Sequence, residues 1–285
     1  MLSLRIGALY RAERRSIHVV FRSGYLTQIF DETEKKTMIH SFLLIGQSNM
    51  AGRGSIAEAT PVDCELVRIL RNGRWQKMFR PVNPDRAFSG VCLAESFAEA
   101  YAKKYGVEVG LIPCADGGTS LDQWQVGGLL YENAVMQARL AQRTSTIVGV
   151  LWHQGESDCA PMLATTYKER FEVIMRAMRR DLGLEETPFL LGELGDFLSE
   201  CPVDEKLKNY PAVNEQLRLI ARENAHTGCV SAAGLGANAD NLHFNAQSLY
   251  EFGLRYFSEF ERLFDREKAF EEKEQDELRN AIELL

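Results

Sequence analysis

Paired cysteines, basic clusters and long apolar runs are all missing from this chain. Its six cysteines stand singly, with no C-x-x-C pair and no dense framework. The expectation is therefore free, mostly buried thiols in a reducing compartment rather than a disulfide scaffold. The formal net charge is −7 and no stripe of Lys and Arg offsets it, which argues against nucleic acid as a partner because phosphate binding is driven by clustered cations. No window approaches the ~20 apolar residues of a membrane span. At the N-terminus, Arg5, Arg11, Glu13, Arg14 and Arg15 interrupt any apolar signal segment, so a cytoplasmic protein is expected. Histidine is also scarce, with five in 285 residues, so acid–base chemistry has few places to reside.

What is present is ordinary for a globular protein: 45% hydrophobic and 26% charged residues, enough to bury a sizeable core. Residues 1–37 read as an appendage with a small β-hairpin, "SIHVVF" and "YLTQIF" flanking Ser23 and Gly24. From residue 38 to 264 the pattern is regular. Apolar runs at "HSFLLIG", "VEVGLIPCA", "TIVGVLWHQG", "PFLLGEL" and "CVSAAGL" alternate with segments of helical spacing at 91–105, 130–142, 165–182, 211–224 and 246–264. Near-continuous apolar strands alternating with helices predict a parallel sheet covered on both faces. The expected architecture is one doubly wound, three-layer α/β/α domain with a flavodoxin-like sheet of about five strands. A separate β pair is predicted around "ELVRILRNGRWQKM", with Asn72 and Gly73 as its tight turn. Residues 265–285 read as a charged, solvated helix.

Ligands of such sheets bind beyond the carboxyl ends of the strands, and four polar strand ends stand out: "GQSNMAG", "ADGGTSLDQW", "HQGESD" and "NADNLHFN". In the first, Ser48 follows a strand at a turn into a helix, a junction that can lift a hydroxyl out of the backbone as a nucleophile or use it as a helix cap. A serine nucleophile needs a base. His18 lies in the appendage, and His40 and His226 precede strands, which leaves His153 and His243. Asp240 lies three residues before His243; if "DNLH" makes one helical turn, the carboxylate can hold the imidazole Nδ1–H. The same residues suit a plain polar turn.

In "HQGESD", the Gln154 amide is a candidate oxyanion donor and Glu156 a second candidate acid, whereas reading His153, Glu156 and Asp158 as metal ligands lacks a second histidine cluster to complete it. No metal and no cofactor are called for. Gly117 and Gly118 allow close backbone approach to a ligand. Gln47 and Asn49, beside Ser48, are taken as substrate contacts or as capping residues, and Trp124 as a sugar platform or as core.

Taken in order, "GQSNMAG", "GGTS", "WHQGESD" and "DNLHFN" resemble the SGNH-type hydrolases of carbohydrate esterase family 6, which includes acetylxylan esterases and sialate O-acetylesterase-like proteins. The resemblance spans about residues 39–263. It implies the SGNH hydrolase fold and a serine esterase that removes O-acetyl groups from xylan, an oligosaccharide or sialic acid. By that resemblance Ser48 is the nucleophile, His243 the base and Asp240 its acid, with Glu156 as the competing acid. The Ser48 and Gly118 N–H groups and the Gln154 side chain form the oxyanion hole. A short-chain esterase on a non-carbohydrate ester and a silent carbohydrate-binding protein are the alternatives.

Overall fold

The computed structural model describes residues 38–264; the N-terminal hairpin and the C-terminal charged helix expected from the sequence lie outside them. The chain enters through β1 (Ile39–Gly46), then α1 (Ser48–Ala51) and the hairpin of β2 (Val67–Arg71) and β3 (Arg74–Lys77). It continues through α2 (Ala94–Tyr105), β4 (Val109–Pro113), α3 (Leu129–Gln142), β5 (Ser145–His153), α4 (Pro161–Thr165) and α5 (Tyr167–Leu182). The remainder is β6 (Phe189–Gly192), α6 (Tyr210–Glu223), β7 (Thr227–Val230) and α7 (Ala246–Leu263).

Among the described residues, seven strands form one sheet in the order β3-β2-β4-β1-β5-β6-β7, where about five were expected. The difference is the hairpin, which is not separate. Val67 and Ile69 are buried and pair in parallel with Val109 and Leu111 of β4, so β2 extends the sheet and β3 closes its edge antiparallel. Asn72 and Gly73 both hold positive φ, 53° and 71°, as a tight two-residue turn demands. Setting the hairpin aside, the remaining five strands run second, first, third, fourth, fifth in chain order, which puts a topological switch point between β1 and β5.

β1 is the reason the sheet has two covered faces. Its side chains alternate by the period of two. Phe42 and Leu44 join the core beneath α2 and α7, while Leu43 and Ile45 join the core beneath α3, α5 and α6. All four are fully buried. Phe42 makes edge-on contacts with Phe97, Tyr101 and Phe260 at centroid distances of 4.7, 5.0 and 5.4 Å, so strand and both helices share one aromatic cluster.

No helix among the described residues is long and apolar enough to cross a membrane. Phe42→Ala removes the centre of the aromatic cluster and is expected to lower unfolding stability by about 4 kcal/mol, as truncation of a buried Phe typically does. Urea unfolding followed by far-UV circular dichroism measures it, and a loss below about 1 kcal/mol would contradict this packing.

Candidate active site

At the carboxyl end of β1 the chain must turn without leaving the sheet. Gly46, at φ 132°, makes this possible: a Cβ there would lie 2.1 Å from the His153 carbonyl oxygen of β5. Gln47 is the residue before α1, and Ser48 is the first helical residue, with no side-chain cap at the helix start. The Ser48 hydroxyl is thus not used as a cap. His243 Nε2 lies 3.0 Å from Ser48 Oγ, and His243 Nδ1 lies 2.7 Å from Asp240 Oδ2. With Nδ1 donating to Asp240, Nε2 keeps its lone pair toward the serine hydroxyl.

Asp240 and His243 reach this geometry by an irregular turn rather than by the helical turn expected from the sequence. Asp240 Oδ1 accepts from the backbone N–H groups of Leu242 and His243 at 2.9 and 3.0 Å, and Asn241 holds a positive φ of 48°. This is an Asx turn, in which the carboxylate organises the backbone two and three residues on. Burial pushes the Asp240 carboxyl up, but the hydrogen bond from the His243 ring and those from the His243 and Leu242 backbone outweigh it and hold it below the ordinary carboxylate range.

The turn is fastened to α1 by Asn49. Its Nδ2 donates to the Leu242 carbonyl at 3.2 Å and to Glu156 Oε1 at 2.5 Å, and its Oδ1 accepts from Phe244 N at 3.1 Å. Asn49 is 1% exposed, so it points into the protein and is not the substrate contact taken from the sequence. Glu156, also buried, makes its hydrogen bond to Asn49, and the other ring within range of its carboxylate is His153, at 4.0 Å. Burial pushes the His153 imidazole below its usual value, and its Nε2 faces the Glu193 carbonyl at 3.1 Å. Asp240, not Glu156, is the carboxylate hydrogen-bonded to His243.

Two further sequence expectations change. Gln154 is fully buried, and its amide nitrogen lies 2.6 Å from Asp158 Oδ2, 3.0 Å from the Thr119 carbonyl and 3.2 Å from Gln47 Oε1. Three acceptors for two hydrogens leave no donor for an oxyanion. Its role is instead to hold the Thr119 loop and Gln47. Trp124 is likewise fully buried, edge-on to Trp152 at 5.4 Å, with its Nε1 donating to Thr119 Oγ1 at 3.0 Å; it is core, and no sugar can reach its face. Asp158, weighed as a metal ligand, is engaged by Arg170 at 2.9 Å and by Leu121 N at 2.9 Å.

Ser48, His243, Gln47, Gly118 and Glu156 line one open pocket of about 380 Å³. Gly118 holds φ 78° with open space where a Cβ would stand, and among the described residues neither its N–H nor that of Ser48 has an acceptor within the protein. Gln47 Oε1 faces the backbone N–H groups of Gly155 and Ser157 at 3.5 and 3.4 Å, so it braces the pocket floor as well as lining it.

The sequence reading gave residues 52–90 to the pocket's other wall but singled out none of its side chains. Arg53 and Asp85 form a two-pronged ion pair, 3.0 and 2.7 Å, with both side chains about 5% exposed or less. Asp85 also accepts from Gly117 N at 2.9 Å and Ser89 Oγ at 2.7 Å. Burial pushes the Asp85 carboxyl up, and its bonds to Arg53, Ser89 and Gly117 bring it below the ordinary range. The signal available in sequence was "NPDRAFSG", a run of turn residues carrying charge. Residues Val203, Asp204, Lys206 and Leu207, from a segment given no role in advance, complete the lining.

A family model described as carbohydrate esterase, sialic acid-specific acetylesterase, matches residues 38–262. The Arabidopsis thaliana protein At4g34215, named a probable carbohydrate esterase, is 30% identical over 242 residues, covering 75% of this chain and 86% of that one. Its crystal structure superposes with a TM-score of 0.71 at 27% identity, covering 79% of this chain and 99% of that one. A carbohydrate acetylesterase from Xanthomonas citri shares the fold at 19% identity and a TM-score of 0.60, covering 79% of this chain and 56% of that one. NanS shares it at 16% identity and a TM-score of 0.62, covering 79% of this chain and 97% of that one.

Because the folded Asp85 carboxyl is held low, its contribution to stability is fully present above the unfolded value of about 3.9 and is lost as pH falls through the folded value. Stability of the native chain is therefore expected to fall steeply below about pH 4, and Asp85→Asn to flatten that acid limb while costing about 3 kcal/mol at neutral pH for the stranded Arg53. Chemical denaturation between pH 3 and 7 tests it; an acid limb of equal slope in both proteins would refute the assignment. Asn49→Ala is expected to lower kcat at least tenfold with the fold intact, since Ser48 and His243 lose their common tether, and steady-state kinetics on p-nitrophenyl acetate reads it.

Proposed function

Because the chain belongs to the carbohydrate esterase family of sialic acid-specific acetylesterases and is a carboxylic ester hydrolase, we propose that it removes O-acetyl groups from a carbohydrate through an acyl-enzyme on Ser48. The reading also assigns it to the SGNH-type hydrolases of carbohydrate esterase family 6, with residues 38–264 as the esterase domain. The observation that carries it is the continuous hydrogen-bonded line from Ser48 Oγ through His243 to Asp240, opening on a pocket.

In the first half-reaction Ser48 Oγ attacks the acetyl carbonyl carbon as His243 Nε2 takes its proton. Asp240 keeps the imidazole in the tautomer with Nδ1–H and stabilises the imidazolium that forms. The tetrahedral oxyanion is held by the unengaged N–H groups of Ser48 and Gly118, dipoles already in place before charge develops. Collapse breaks the ester C–O bond, His243 returns the proton to the departing sugar oxygen, and Ser48 is left acetylated. Water, deprotonated by His243, then attacks the acyl carbon and releases acetate, restoring the hydroxyl. Gln154 takes no part in contact with the substrate. The acetyl group itself is small, so the rest of the 380 Å³ pocket is available to the sugar.

Ser48→Ala is expected to abolish turnover of p-nitrophenyl acetate and covalent labelling by a fluorophosphonate, with an unchanged circular dichroism spectrum; turnover at the native rate would end the nucleophile assignment. Asp240→Asn is expected to lower kcat by about 10³ to 10⁴, the cost of the wrong imidazole tautomer. Glu156→Gln, which keeps a hydrogen-bond acceptor for Asn49, should cost less than a tenth of that on a logarithmic rate comparison at the same pH. A reversed ranking that persists in an Asn49→Ala background would transfer the acid role to Glu156.

A further inference from the structure

We propose that the sugar this pocket takes is uncharged and stacks on Phe88, an inference that rests on the esterase reading above and specifies its substrate. Phe88 lines the pocket together with Ser48 and His243, yet is 71% exposed. An aromatic left this open beside a nucleophile has surface to offer a ligand. The ring is not loose. The Arg53 guanidinium carbon lies 5.2 Å from its centroid and backs one face. Its loop is pinned by Ser89 Oγ to Asp85, by Arg86 N to Ser89 Oγ and by the Arg86 side chain to the Gly117 carbonyl. The result is a rigid apolar plate of the kind that receives the C–H face of a pyranose, whose hydrogens meet the negative face of the ring. Val203, 65% exposed, adds a second open apolar side chain to the same pocket.

Charge decides between neutral and anionic sugars. Three cations line the pocket, Arg53, Arg86 and Lys206, and each is already paired. Arg53 holds Asp85 at 2.7 Å, Arg86 holds Asp116 at 2.8 Å, and Lys206 holds Asp204 at 3.0 Å. Glu156 also lines the pocket, and Asp240 stands behind His243. Three cations therefore meet five carboxyl groups, so the cations around the pocket are outnumbered and offer no excess positive charge to the carboxylate of a sialic acid. An anion entering such a site meets like charge from the surplus carboxyl groups. A neutral acetylated pyranoside meets the Phe88 face and backbone groups at no such cost.

The test compares kcat/KM of the native chain on an O-acetylated methyl xyloside, on O-acetylated sialic acid and on p-nitrophenyl acetate, then repeats the series with Phe88→Ala and Phe88→Tyr. The neutral glycoside is expected to be preferred over the sialate by at least tenfold. Phe88→Ala is expected to raise KM for the glycoside about tenfold, equivalent to ~1.4 kcal/mol, with kcat little changed, so that its kcat/KM falls relative to p-nitrophenyl acetate. Phe88→Tyr, which keeps the plate, restores the KM. Preference for the sialate would overturn the charge argument. Equal losses on glycoside and aryl ester would reduce Phe88 to a support for Arg53 and overturn the platform. Absence of turnover on every ester, with no fluorophosphonate adduct at Ser48, would instead bring down the esterase reading on which this one rests.

Discussion

The distance between Ser48 and His243 is set by one buried amide. Ser48 is delivered by β1, a strand buried at every residue but its first, whereas His243 sits on an irregular turn with no strand or helix of its own. Asn49 joins the two across 195 residues of sequence, holding Leu242 O and Phe244 N on either side of the histidine. A buried amide that loses its partners costs the desolvation of each group left unpaired, so the turn cannot drift away from α1 without exposing or stranding four polar atoms. The 3.0 Å hydrogen bond between imidazole and hydroxyl forms within the geometry that this clamp sets.

A second network fixes the opposite wall. Removing two charges from water is unfavourable unless their lone pairs and protons find partners. Asp85 is well supplied, taking both Arg53 Nη nitrogens, Ser89 Oγ and Gly117 N, while Arg53 Nε is buried without a partner among the described residues. The pair thereby ties three chain segments together: the end of α1, the loop before α2 and the glycine turn after β4. Gly117 has no room for a side chain, since a Cβ would stand 2.5 Å from Arg53 Nη2 and 2.9 Å from Asp85 Oδ2. Rigidity around Gly118 matters to the proposed chemistry because an oxyanion donor is effective to the degree that it is already in position.

The fold brings together Ser48, His243 and Asp240, which the sequence singled out, while several neighbouring side chains point elsewhere than expected, for a physical reason. Ser48, Asp240 and His243 are readable because their placement is local: a polar residue at the carboxyl end of an apolar strand, and a carboxylate three residues before a histidine. Gln154, Asn49 and Trp124 sit in the same motifs, yet all three turn inward, a choice made by partners such as Asp158, Phe244 and Trp152 that are distant or ambiguous in sequence. Sheet size was misjudged at β2, where a tight hairpin reads as independent until Val67 and Ile69 are seen to bury against β4. Phe88 carried no signal, because nothing about a phenylalanine in a turn-rich loop distinguishes an exposed plate from a core contact.

The two carboxylates below the pocket reach His243 by different routes, and this bears on how such sites are assigned. Asp240 touches the imidazole directly, and its other oxygen shapes the backbone that carries the ring. Glu156 touches Asn49, which in turn holds that same backbone. Loss of either acid therefore disturbs the histidine, one by altering its tautomer and charge, the other by loosening the turn on which it sits. A fall in rate on removing Glu156 is thus no evidence that it contacts His243. The distinguishing quantity is whether the loss depends on Asn49. A missing Asp240 takes away the group that fixes the imidazole tautomer, so its cost persists in an Asn49→Ala background, whereas a loss that runs through the Asn49 clamp has nothing further to take once Asn49 is gone.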